Sequence, residues 1–438
     1  MRLARGSTTV LAATTAAVLA VSACGLGGSG EQPASSPVTG EVKGNISFQT
    51  WNLKSKFGDY FNGLVSDFEK QHPGTKVEWL DQPADGYADK LSADASAGTL
   101  PDIMNLSPDL AYPLYQKNLL LDLDTAAPEA KKDYLPNAWD GYVMPSPDPA
   151  KRRNAAFPWY LNTGPYFYNK ALFRENGLDE NKPPKTYDDL KNQALTLASK
   201  AGGKVAMLGQ TPGIEDFGLY GVPLMDSGGT KFTFNDAKGV QLVELYKAMY
   251  DAKALLPEAL SATYTGSGAK FLAQQVALSS GSAYDLQKFR TDAPSLYANI
   301  GITEPMTNTG KANMYLQGLS IAQQSKNKPT AIAFARFVTS KASQLAFAKI
   351  VTVFPSTADT LNDPFFTSAP EGDDEARVRV AAAKQLGTAV NYTPVQLSDQ
   401  MKTILRNEIA NAMLGKQSAK QALDNAVSQC DKLLRPNG

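Results

Sequence analysis

Histidine is almost absent: His72 is the single histidine among 438 residues, placed beside Pro73 where a helical pattern ends. One histidine excludes a HExxH zinc site and leaves a Ser-His-Asp triad hard to assemble. A metal receptor, which needs clustered histidines or carboxylates, is equally disfavoured. Cysteine is scarce too. Cys24 and Cys430 are the full set, so no disulfide framework holds the fold. Charge of either sign is not in excess, with 43 basic and 43 acidic residues and no long run of one kind. Nucleic acid is therefore not an expected partner. No Cys-x-x-Cys, Gly-x-Ser-x-Gly or Walker A pattern occurs, so no cofactor is implied. Paired carboxylates of a glycosidase are not excluded by composition, but nothing singles out a pair.

Long hydrophobic runs are missing apart from one. Val10 to Val21 is apolar or small and follows Arg2 and Arg5. It is too short to span a bilayer core of roughly 30 Å and fits a secretory signal. The run ends in Val21-Ser22-Ala23-Cys24-Gly25, which looks like a bacterial lipobox with Cys24 as the lipid anchor. Residues 1–23 are thus expected to be a lipoprotein signal peptide, and the chain to sit on the outer face of a bacterial cell membrane. Residues 24–44, rich in Gly, Ser and Pro, have the composition of a flexible tether with a reach on the order of 25 Å. With Cys24 lipidated, Cys430 reads as a packing residue of the last helix.

The remaining body, about 390 residues, exceeds the size at which one core stops growing, so two lobes are expected. Its early part alternates strand and helix. Ile46–Trp51, Thr75–Leu80 and Ile103–Leu106 read as strands. Phe57, Phe61, Leu64, Val65 and Phe68 recur at helical spacing, and further helices follow at Tyr87–Ala97 and Asp109–Lys117. Ala155–Trp159, Tyr166–Asn169, Val205–Gly209, Val276–Ser280 and Asn299–Thr303 are later strands, and Thr186 with Asp189 forms a capping-box pattern. The alternation predicts an α/β fold with a largely parallel sheet.

Four stretches carry a resemblance: FEKQHPGTKVEW (68–79), LSADASAGTLPDIMNLSPDLAYPLYQKNLLLDL (91–123), AAFPWYLNTGPYFYNKALFRENGL (155–178) with PPKTYDDL (183–190), and the late pair GLSIAQQSKNKPTAIAFARFVTS (318–340) and LGKQSAKQALDNA (414–426). In this order the chain resembles the extracellular solute-binding proteins of sugar ABC importers, the group that includes the maltose-binding protein. The resemblance implies a two-lobed periplasmic-binding-protein fold with a hinged cleft. Lobe one would comprise 45–156 and 305–350, and lobe two 157–304 and 351–438. It also implies a monomer that captures a small solute, a sugar, and hands it to a permease without catalysis.

Aromatic residues stand where strands end: Trp51, Trp159, Tyr160, Tyr284 and Tyr315. Ligands of open α/β sheets bind outside those ends. Rings can cover the C–H faces of a sugar while Asp, Asn and Gln meet its hydroxyls. The polar candidates are Asn52, Asp109, Asn162, Asp216, Asp285 and Gln317. By the resemblance Tyr284 falls on a sugar-stacking tryptophan and Asp109 on a sugar-binding aspartate. Leu106 replaces another family tryptophan, which implies a sugar other than a maltodextrin. Trp51 could equally pack under a loop, and Asp109 could equally cap a helix. Receptors for peptides or amino acids share the architecture but favour charged clamps; a lipoprotein glycosidase or a sensor accessory would share the anchor.

Overall fold

A computed structural model describes residues 36–146, 148–261 and 266–435. The signal segment, Cys24 and most of the tether lie outside the described residues. The end of the expected tether is already fastened. The Val38 amide donates to Ala126 O at 2.9 Å, Val38 and Val42 pack on the core, and Lys43 exchanges hydrogen bonds with Thr330.

Among the described residues, nine strands are distributed over two sheets. β1 (Gly44–Trp51), β2 (Thr75–Gln82), β3 (Ile103–Leu106), β4 (Phe157–Asn162), β8 (Tyr315–Ile321) and β9 (Phe354–Pro355) form the first, in the order β2-β1-β3-β8-β4-β9. β5 (Tyr166–Asn169), β6 (Leu278–Ser280) and β7 (Ile300–Thr303) form the second, with β5 central. Among the named strands the expectation of a largely parallel sheet holds only for β2, β1 and β3. Every pairing made by β8, β4, β9 and the second sheet is antiparallel. Strands β8 and β9 were not legible in the sequence. β8 contains Gly318 and is buried along most of its length, so it shows no alternation. The reverse error occurs at Val205–Gly209, where only isolated bridges of Ala206 and Leu208 form.

The chain leaves the first sheet between Asn162 and Tyr166, later than the lobe boundary expected at 156/157. β4 and β9, both assigned to lobe two from sequence, pair in the six-stranded sheet. It returns between Thr303 and Tyr315. Helix Lys54–Gln71 buries Phe61, Leu64 and Phe68 against one face of the first sheet, as its spacing predicts. The second lobe is built on helices Ala237–Asp251, Asp399–Met413 and Ala419–Leu434, whose apolar stripes close one large core. Cys430 lies in that core as a packing residue, and burial pushes its thiol up to about 12. The capping box of Thr186 and Asp189 forms in full.

Gly318 is required by a close approach. Beneath it lies Tyr142, fully buried, with its hydroxyl donating to Leu106 O at 2.8 Å. A Cβ at 318 would stand 2.6 Å from the Tyr142 ring. Gly318→Ala is therefore expected to cost about 1–3 kcal/mol through overpacking. Gly63→Ala, on the exposed face of a helix with open space around it, should be neutral or stabilising. Urea unfolding midpoints of the two variants check the contrast.

Candidate ligand-binding site

The two sheets come together at a cavity of 510 Å³, within the range of small-molecule sites. Asn162 at the end of β4 and Tyr315 at the start of β8 reach it from the first sheet. Tyr166 on β5 and Ser280 at the end of β6 reach it from the second. Here the connecting segment passes very close to its neighbour. A Cβ on Gly164 would lie 2.2 Å from Gly281 O, so a side chain there would force the crossing apart. Thr163 fixes the same segment by donating to Asn313 O at 2.8 Å.

Two helix starts deliver the carboxylates. Helix Ile214–Tyr220 is capped by Asp216, which accepts from Gly213 N at 2.8 Å and from the Tyr187 hydroxyl at 2.7 Å. Helix Ala283–Asp292 is capped by Asp285, which accepts from Ser282 N and Oγ at 2.7 and 2.9 Å. Burial is the largest influence on Asp216 and raises its carboxyl to about 6; the Tyr187 and Gly213 bonds oppose this and nearby Glu215 adds to it. Glu215 itself accepts from Thr393 Oγ1 at 2.7 Å.

A second cavity of 140 Å³ shares Glu215 and Tyr315 with the first. Asp109, Gln317 and Lys402 also line it. Asp109 is not the N-cap of its helix, since Ser107 holds that position and donates to its carboxylate. Instead it faces Lys402 Nζ at 3.7 Å, a pair that joins a helix of the first lobe to one of the second. Burial pulls the Lys402 ammonium down, but Asp109, Asp399 and Glu215 outweigh it and leave it raised. Gln317 accepts from Asn105 Nδ2 at 3.0 Å.

Of the residues picked out from sequence, Asn162, Asp216, Asp285 and Tyr315 thus line the main cavity, and Asp109 and Gln317 the adjoining one. The others go elsewhere. Trp159 is 1% exposed and stacks on Phe347 with centroids 5.7 Å apart, on the same core-facing side of β4 as Phe157 two residues earlier. Tyr160 is half-buried, edge-on to Trp159 at 5.0 Å. Trp51 packs beside Tyr87 at 6.5 Å, although its buried Nε1 has no partner. Asn52 adopts a left-handed φ of 53° and braces the turn after β1 by accepting from Ala84 N. Tyr284 lies in the first turn of helix Ala283–Asp292; its side chain is outside the described ones. Sequence reasoning missed Glu215, Asn313, Lys402 and Arg406. Lys402 and Arg406 stand four apart and so share a helix face, the one signal available for them.

This geometry, two α/β lobes with a polar cavity between their sheets, defines the periplasmic-binding-protein class. The family model of bacterial extracellular solute-binding proteins matches residues 54–345, more than half the chain, and the chain belongs to that family. The sn-glycerol-3-phosphate-binding periplasmic protein UgpB of Escherichia coli K12 is 25% identical, with 90% of this chain and 94% of that protein covered. A provisionally assigned oligosaccharide periplasmic-binding protein from Synechococcus sp. MITs9220 superposes with a TM-score of 0.77 at 26% identity, covering 89% of this chain and 99% of its own. The sugar-binding protein MalE of Xanthomonas citri shares the fold with a TM-score of 0.72 at 19% identity, covering 90% and 98%. All three are binding proteins by name. No helix among the described residues is long and apolar enough to cross a membrane.

The Asp216 carboxyl gives a pH prediction. Raised from 3.8 to about 6, it binds its proton more tightly in the folded chain than in the unfolded one. Its contribution favours folding below pH 4 and is lost as pH rises through 6. Asp216→Asn cannot titrate. Between pH 7 and pH 4, wild type should therefore gain roughly 2–3 kcal/mol relative to that variant. Urea unfolding of both at the two pH values measures the difference.

Proposed function

We propose that the chain is the lipid-anchored, substrate-binding component of an ABC importer, that it is not an enzyme, and that it captures a carbohydrate by closing its two lobes. The observation that carries this reading is the composition of the 510 Å³ cavity. Its wall combines carboxylates, amides and hydroxyls with the ring of Tyr315, which is 55% exposed. Hydroxyl-rich ligands need such acceptors and donors around the rim and an aromatic surface for their C–H faces. The names of the Synechococcus and Xanthomonas proteins, oligosaccharide-binding and sugar-binding, support the same ligand class. Closure is favoured only by contacts the solute makes to both lobes at once, and here the lining comes from both sheets. The closed monomer would then deliver its load to a permease at the membrane, held there by lipid on Cys24.

Titration calorimetry of the full chain in detergent against mono- and oligosaccharides tests the ligand. A sugar should bind, and Tyr315→Ala and Asn313→Ala should each weaken the best ligand about tenfold or more, equivalent to about 1.4 kcal/mol. Absence of binding by every sugar, or unchanged affinity in both variants, would refute the assignment. For the anchor, cells fed labelled palmitate should label the wild-type chain and not Cys24→Ser, which should leave the membrane fraction.

A further inference from the structure

The charges around the two adjoining cavities are unequal. Their walls carry the carboxylates of Asp109, Glu215, Asp216 and Asp285 against the cations Lys402 and Arg406. Both cations are engaged. Lys402 lies 3.7 Å from Asp109 and 3.1 Å from Asp399, and Arg406 also has a partner. Two carboxylates keep an oxygen in reserve. Glu215 accepts through Oε1 alone and Asp285 through Oδ2 alone, leaving Glu215 Oε2 and Asp285 Oδ1 without a donor among the described residues.

An independent feature of the same wall points to a ligand. Asn313 is 8% exposed, its Oδ1 accepts from Tyr392 N, and its Nδ2, although near enough to the Tyr315 hydroxyl to interact with it, makes no hydrogen bond of normal geometry. A buried amide donor left unpaired is costly, and a ligand hydroxyl or ring oxygen would satisfy it. The cavity therefore asks for an oxygen acceptor at Asn313 and for positive charge at Glu215. Glu215 shares both cavities with Tyr315, whose exposed ring can face a cation.

We propose that the solute is an amino sugar, with its protonated amine held by Glu215 beside the Tyr315 ring and a sugar oxygen accepting from Asn313. The inference rests on the carbohydrate reading and narrows it. A hydroxyl of a neutral sugar can donate to Glu215 Oε2, but only a protonated amine brings a donor and a counter-charge to the same oxygen. A phosphorylated solute would meet carboxylates whose nearest cations are already occupied.

The test uses matched pairs on the full chain at pH 7: glucosamine and galactosamine, and the disaccharides of each, against their neutral N-acetylated counterparts. sn-Glycerol 3-phosphate serves as the anionic probe. At least one free amine should bind tenfold or more tighter than its acetylated twin, and the anionic probe should not bind. The preference should shrink as sodium chloride rises from about 0.05 to about 0.5 M. Glu215→Gln, shown to be folded by an unchanged unfolding transition, should bring the ratio within threefold. Equal or tighter binding of the acetylated twins, a preference indifferent to salt, or one that survives in Glu215→Gln would overturn the proposal. Neutral sugars binding without any gain from an amine sinks this inference and leaves the carbohydrate reading standing. No binding by either kind sinks both.

Discussion

Strand β8 enters the first sheet between β3 and β4, two strands made far earlier in the chain, and that insertion creates the site. The bond from Thr163 to Asn313 O closes a separation of 150 residues. Antiparallel pairing with both neighbours puts the start of β8 beside the ends of β3 and β4. Tyr315, Gln317 and the preceding Asn313 thereby come to the mouth of the cleft. Gly318 makes the insertion sterically feasible, since the strand runs directly over the Tyr142 ring. The entropy of closing so long a loop is met by main-chain pairing on both sides and by burial of Leu316, Leu319 and Ile321.

The second constraint is the backbone approach of Gly164 to Gly281. It holds the first crossing against the end of β6, so Asn162 and Ser280, on different sheets, line one cavity. Only residues without a Cβ tolerate this contact. The site is thus assembled from two places where chains pass unusually close, one beneath β8 and one at the crossing.

Much of the early fold was legible because helix Lys54–Gln71 and strands β1 to β3 are local units with plain periodicity and Gly or Pro punctuation. The later strands were less so. β8 and β9 are defined by partners distant in sequence, and a buried strand with a glycine carries no alternation to detect. The same divide runs through the site. Asp216 and Asp285 could be found because each opens a helix near a predicted strand end. Trp159 was less legible, because a position at a strand end does not say which face of β4 is buried, and it shares the core-facing side with Phe157. Lys402 and Arg406 belong to a helix whose orientation is set by packing against helices Ala237–Asp251 and Ala419–Leu434.

The two capping aspartates also bear on the sign of the site. A helix start usually presents free amides and partial positive charge, a natural seat for a phosphate or sulfate. Here both helix starts beside the cavity are closed by their own third residue. Asp216 takes the Gly213 amide and Asp285 the Ser282 amide. One amide at each start is thus taken by the chain itself, and each cap brings a carboxylate to the wall. Because the caps form with the helices, their orientation is set before any solute arrives, and ordering them adds nothing to the cost of binding. A cleft prepared in this way is organised around acceptors, with Asn313 as a buried exception, and its chemistry follows from how two helices begin.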